Sequence, residues 1–125
     1  MIIVKEGALF NMAKVTKIEK ITLKKIIENG GATLTTNFHA VTFNGGYQVS
    51  VEDYAVIKVR DLRKSFLDYL IKSTYLYVGV WIENGNAYID ISQNFKTKKD
   101  AMKIAKENNQ ISIYDWKNHK VVYCK

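Results

Sequence analysis

The chain has 125 residues, of which 47% are apolar and 25% charged, a mixture that folds as one globular domain over residues 1–125 and excludes a disordered tail. Nineteen Lys and Arg stand against 12 Asp and Glu, a formal charge of +7. That sign excludes an acidic mimic of nucleic acid, which must present carboxylates in phosphate-like rows, and it permits contact with nucleic acid or with an acidic protein groove.

Read from the N-terminus, the apolar start Met1-Ile2-Ile3-Val4 stops at Lys5-Glu6, too short for a signal-peptide core or a membrane span. The expectation is a cytoplasmic protein with no membrane partner. Met12 is a second candidate start, so residues 1–11 read either as a dispensable extension or as an added edge strand. Proline is absent, and no linker or low-complexity tract marks a boundary.

Thr22 caps an expected helix through Leu23, Ile26 and Ile27 that stops at Asn29-Gly30-Gly31. The apolar Val15 and Ile18 allow that helix an earlier start. A strand follows at 32–36. Val41–Phe43 and Tyr47–Val49 flank Asn44-Gly45-Gly46, which reads as a hairpin with a three-residue loop pairing Phe43 with Tyr47 and Val41 with Val49. Another strand is expected at 54–59. Asp61 is placed as the cap of a helix whose stripe is Leu62, Phe66 and Leu70, widened by Leu67 and Ile71 and closed at Ser73-Thr74.

The strongest local signal is Asn84-Gly85, a type I′ turn between strands at 75–83 and 86–92. Thr97-Lys98-Lys99-Asp100 opens a helix as a variant capping box, with Asp in place of Glu or Gln. That helix ends at Asn108-Asn109, and strands at 111–114 and 121–123 complete the chain. The order helix–strand–turn–strand occurs twice, once after Lys25 and once after Ile104. Short α+β units often look alike, and a duplication is the alternative. The fold expected from these elements is α+β, a single domain with a mostly antiparallel sheet and helices packed on one face.

Pairing the central hairpin about Asn84-Gly85 sorts its side chains. One face carries Leu76, Val78, Val80, Ile82, Ala87, Ile89 and Ile91 and must be core. The other carries Tyr75, Tyr77, Trp81, Tyr88, Asp90 and Ser92, aromatic and polar together. Either another element covers these aromatics, or they form an open partner-binding surface of the kind that dominates interface hot spots. The candidate partner-binding residues are therefore Tyr77, Trp81, Tyr88 and Asp90, with Gly79 opposite leaving Asp90 room at the surface. The basic residues Arg60, Arg63, Lys98 and Lys99 form a second group of partner-binding candidates, and the aromatic face, with Lys96, Lys98 and Lys99 near it in sequence, would also suit stacked bases.

Signals for chemistry are weak. Gly30-Gly31 and Gly45-Gly46 lack the Lys-Ser/Thr of a phosphate loop and read as turns. Glu52 and Asp53 are adjacent, which on a regular strand points them to opposite faces. No Ser or Cys has the neighbourhood of a nucleophile, so no catalytic residue and no cofactor is expected. The single cysteine, Cys124, excludes an internal disulfide and fits a reducing compartment. His39, His119, Cys124 and Asp115 are zinc-competent types, but their spacing matches no strong zinc signature, and the expectation is no metal.

Three stretches carry a resemblance. Glu28-Asn29-Gly30-Gly31-Ala32-Thr33-Leu34 leads to Gly46-Tyr47-Gln48-Val49-Ser50. Val78-Gly79-Val80-Trp81-Ile82 leads to Tyr88-Ile89-Asp90-Ile91-Ser92. Glu107-Asn108-Asn109-Gln110 precedes Ile113-Tyr114-Asp115. Together, over Thr22 to Tyr123, the chain resembles small accessory proteins of Gram-positive phages and conjugative elements, the setting of anti-CRISPR proteins directed at type II effector nucleases. The resemblance implies a phage-encoded, non-enzymatic inhibitor that binds such a nuclease in the host bacterial cytoplasm. It transfers no catalytic motif. The alternative is a nucleic-acid-binding accessory protein of a mobile element.

Overall fold

In the computed structural model, residues 13, 15–71 and 76–124 are described. Residues 1–11, Tyr75 and the Ser73-Thr74 helix stop lie outside them. The described residues form one curled antiparallel sheet of eight strands with three α-helices. In chain order these are β1 (Lys17–Lys20), α1 (Leu23–Asn29), β2 (Gly31–Thr35), β3 (His39–Thr42), β4 (Tyr47–Lys58), α2 (Lys64–Leu70), β5 (Tyr77–Glu83), β6 (Asn86–Phe95), α3 (Lys98–Glu107), β7 (Ser112–Asp115) and β8 (Lys120–Tyr123). The spatial order is β1-β3-β2-β5-β6-β4-β7-β8.

Local chemistry explains most of these elements. The Thr22 side chain accepts from the Lys25 amide at 3.1 Å and starts α1, and the Thr97 side chain accepts from the Asp100 amide at 3.2 Å and starts α3. The β5–β6 hairpin turns on Asn84 (φ 50°) and Gly85 (φ 78°) and pairs Glu83 with Asn86, Trp81 with Tyr88 and Gly79 with Asp90, the register expected from an Asn-Gly turn. The helix–strand–turn–strand order recurs as α1–β2–β3 and α3–β7–β8, whose hairpins lie on opposite flanks of the sheet.

Three expectations are corrected. β3 and β4 do not form a hairpin: β2, β5 and β6 lie between them. The connection passes the ends of β5 and β6 instead. Phe43 packs edge-on against Tyr77 at 5.4 Å, and the Gly46 carbonyl accepts from the Trp116 amide at 3.1 Å. Gly46 has φ 82°, and a Cβ there would collide with the Asn94 side chain, so glycine serves this crossing rather than a hairpin loop. Asp61 ends a 3-10 turn at Val59–Asp61 instead of capping α2, whose N-cap is Arg63 with no side-chain hydrogen bond. Ile18 lies in β1, paired with Val41, and not in an extended first helix.

The main core joins Ile26 of α1, Leu67 and Leu70 of α2, and Leu34, Val78, Val80, Ala87, Ile89 and Ile91 of the sheet. A second core sets Ala101 and Ala105 of α3 against Val49, Phe95 and Ile113. The small alanines let α3 approach the strands closely. Val80→Ala is expected to cost about 2 kcal/mol, because Val80 is buried and its methyls leave a cavity in the core it shares with Ile26, Leu67 and Leu70. Urea unfolding checks this, and a variant as stable as the parent would reject the hairpin register.

Candidate functional site: an acidic and aromatic trough

The aromatic face of the hairpin is the floor of a trough of about 1090 Å³, with β1 and β3 on one side and β7 and β8 on the other. Its floor is built in rows, because paired antiparallel residues point the same way. The first row is Gly31, Trp81, Tyr88 and Val56; the second is Thr33, Gly79, Asp90 and Asp53. The third is Tyr77, Ser92 and Ser50, and the fourth is Asn94 and Gln48.

The aromatic row is open. Trp81 is 59% exposed and Tyr88 41%, as cross-strand neighbours. Tyr77, two places from Gly79 on the same strand face, is only 5% exposed. It belongs to a small core with Val41 and Phe43, packed by Val15 and Trp116, that closes one end of the trough. Of the expected partner-binding aromatics, Trp81 and Tyr88 are therefore accessible and Tyr77 is a structural plug.

The acidic row was half visible in the sequence. Asp53 reaches it through a β-bulge: the β4–β6 register slips between Ser50 and Glu52. One extra residue reverses the alternation, so Asp53 takes the position that Glu52 would hold on a regular strand and sits beside Asp90. Ser50 Oγ donates to Asp53 Oδ1 at 3.2 Å, and Gln110 Nε2 donates to Asp53 Oδ2 at 3.4 Å. The Asp90 side chain fills the space over Gly79, where a Cβ would collide with its carboxylate. The room left by Gly79 is thus occupied by Asp90 itself.

Burial pushes the Asp90 carboxyl up to about 6, helped by the negative charge of Asp53, against the opposing hydrogen bonds of Ser50 and the Gly79 backbone. Desolvation and a like charge both disfavour the ionised form. Ser50 has one hydroxyl hydrogen for two carboxyl groups. When it donates to Asp53, a protonated Asp90 can donate to its oxygen, and the three groups are satisfied as a chain.

The amide row is rigid. Gln48 Nε2 donates to Ser92 Oγ at 2.8 Å, while Gln48 Oε1 accepts from Asn94 Nδ2 at 2.8 Å and from Trp116 Nε1 at 2.9 Å. Gln48, Ser50 and Asp53 of β4 and Trp116 of the β7–β8 turn are site residues that motif and alternation reasoning missed, since they reach the trough from segments distant in sequence.

The basic candidates lie elsewhere. Arg60 and Arg63 are at the 3-10 turn before α2, where Arg63 Nη1 donates to the Arg60 carbonyl at 2.8 Å. Lys98 and Lys99 are exposed in the first turn of α3. None of the four lines the trough. His39 opens β3 and His119 sits in the β7–β8 turn, on opposite flanks of the sheet. Asp115 is committed to that turn: it accepts from the Asn118 amide at 3.2 Å and from Asn118 Nδ2 at 2.8 Å, which hold its carboxyl below the usual range. Among the described residues no three His, Cys, Asp or Glu side chains gather as a metal would need. No described helix is long and apolar enough to cross a membrane.

Compared with known proteins, the chain matches no family model, no curated protein and no solved structure.

Proposed function

We propose that the protein is a phage-encoded, non-enzymatic inhibitor that acts in the bacterial host cytoplasm by docking a type II CRISPR effector nuclease in its trough. The observation that carries the binding mode is the Trp81–Tyr88 pair, side by side and open to solvent on a concave floor. Large aromatics so placed add little to the fold and dominate binding energy when a partner covers them. The effector as partner comes from the resemblance to phage and mobile-element accessory proteins over Thr22 to Tyr123. This reading takes all three helices as covering the other face of the sheet. Strand alternation supports it, since Ile89, Ile91 and Phe95 share one side of β6 and pack with the helices.

The nucleic-acid alternative rests on Arg60, Arg63, Lys98 and Lys99, which are exposed outside the trough. Binding to a purified type II effector and to a bare DNA duplex, each across a salt series, separates the two. The expected result is tight effector binding with no measurable duplex binding. A steep salt slope on duplex alone would replace the inhibitor reading with the alternative.

A further inference from the structure

The trough has a charge opposite to that of the chain. Among the described residues that line it, Glu19, Asp53 and Asp90 are acidic, and none is Lys, Arg or His, although the protein carries a formal +7. Asp53 and Asp90 face each other across β4 and β6, and their near polar neighbours are the uncharged Ser50, Gln110 and Gly79 backbone. Glu19 is paired with Lys17 at 3.6 Å, whereas no Lys, Arg or His among the described residues pairs with Asp53 or Asp90.

The aromatic row lies one step along the same floor. Tyr88 and Asp90 are two residues apart on one strand face, about 7 Å. That is within reach of a single arginine side chain. A guanidinium stacks on an aromatic face and pairs with carboxylates through its planar fork, whereas an ammonium does the first less well and the second only as a point charge.

We propose that the trough receives an arginine-bearing segment of its protein partner, the guanidinium stacking on Trp81 and Tyr88 and pairing with the Asp53 and Asp90 carboxylates. The inference rests on the trough being the docking face, and it adds the chemistry of the group docked there. Charge complementarity selects this occupant: a phosphate backbone or an acidic peptide would meet two carboxylates with no counter-charge. It also assigns the acidic row a purpose that folding does not supply, since burying Asp90 beside Asp53 opposes folding at neutral pH.

The test uses the full chain, labelled with nitrogen-15, and three blocked pentapeptides, Gly-Gly-X-Gly-Gly with X as Arg, Lys or Glu. At pH 7.5 the arginine peptide is expected to shift the Gly79 amide and the Trp81 indole N–H, and to bind at least fivefold more tightly than the glutamate peptide. The double variant Asp53→Asn, Asp90→Asn is expected to lose that preference while keeping a dispersed, folded spectrum. Equal shifts from all three peptides, tighter lysine than arginine binding, or shifts confined to residues outside the trough would overturn the proposal. So would a dimer of the free protein in sedimentation that dissociates in the double variant, because the occupant would then be a second copy.

Effector binding measured in parallel separates this inference from the reading beneath it. If Trp81→Ala loses the effector and the double Asn variant keeps it, the trough is the docking face and the arginine assignment fails. If the arginine peptide binds in the trough and no trough variant changes effector binding, the effector docks elsewhere and is overturned as the source of the arginine.

Discussion

Trp81→Ala is expected to weaken partner binding by about 2–3 kcal/mol, roughly 30- to 150-fold, and to leave the melting temperature of the free protein nearly unchanged. The reason is the state of the side chain before binding. At 59% exposure Trp81 keeps most of its surface in water, so truncation removes little burial and opens no cavity in the free chain. In a complex the same indole would be covered, next to Tyr88, and its loss would be felt in full. Tyr77 is the internal control, on the same strand face but 5% exposed and edge-on to Phe43 at 5.4 Å. Tyr77→Ala is expected to destabilise the fold by about 3–5 kcal/mol, as buried aromatic truncations do. Titration calorimetry and thermal melts on the two variants check both halves. A Trp81 variant that melts well below the parent but binds normally would make the aromatic row a structural feature and not an interface.

How much of this was legible in the sequence depended on the range of the determining interaction. The β5–β6 hairpin was legible because Asn84-Gly85 fixes a turn type, the turn type fixes the register, and the register puts Trp81 beside Tyr88 and Asp90 opposite Gly79. The starts of α1 and α3 were legible for the same reason, since Thr22 and Thr97 act within three residues. The β3–β4 connection was not. Asn44-Gly45-Gly46 has the composition of a hairpin loop, but glycine at position 46 is required both by a left-handed backbone (φ 82°) and by crowding from Asn94 and the Phe95 carbonyl, forty-eight and forty-nine residues away. Tertiary crowding and local turn chemistry ask for the same residue, and only the fold tells them apart. Likewise β1 is a short exposed strand held by pairing to β3, and its own residues Lys17–Lys20 have no pattern that demands a strand.

The acidic row shows the limit most clearly. Asp90 was found by simple alternation along β6. Asp53 is not reached that way: adjacency says only that Glu52 and Asp53 point to opposite faces, and which of them stands beside Asp90 is decided by the bulge in β4 between Ser50 and Glu52. The bulge leaves no mark in composition, yet it decides which carboxylate, Asp53 or Glu52, stands beside Asp90. It also sets the electrostatics, since the charge of Asp53 is one of the causes that raise the Asp90 carboxyl.

That raised carboxyl makes stability depend on pH in a direction opposite to an ordinary salt-bridged aspartate. The folded Asp90 titrates at about 6, against 3.8 for the free side chain. A group raised on folding contributes its stability fully below the lower value and loses it as pH rises through the higher one. Across that window the folded state must give up a proton that it holds more tightly than the unfolded chain does. The full difference corresponds to about 3 kcal/mol, and because Asp90 retains some contact with water, about 2 kcal/mol is the expected loss. Asp90→Asn keeps the shape and hydrogen-bonding capacity of the protonated acid but cannot ionise. The variant is therefore expected to match the parent near pH 4 and to exceed it by about 2 kcal/mol at pH 8, a rise of roughly 3–5 °C in melting temperature per kcal/mol for a chain of this size. Melts across pH 4–8 check the prediction, and a constant offset between variant and parent would reject it. The same substitution should weaken a cationic partner, because the charge that destabilises the free fold is the charge that a guanidinium would neutralise. More stability with less binding from one oxygen-to-nitrogen change is the trade-off expected of a site retained for recognition at some cost to the fold.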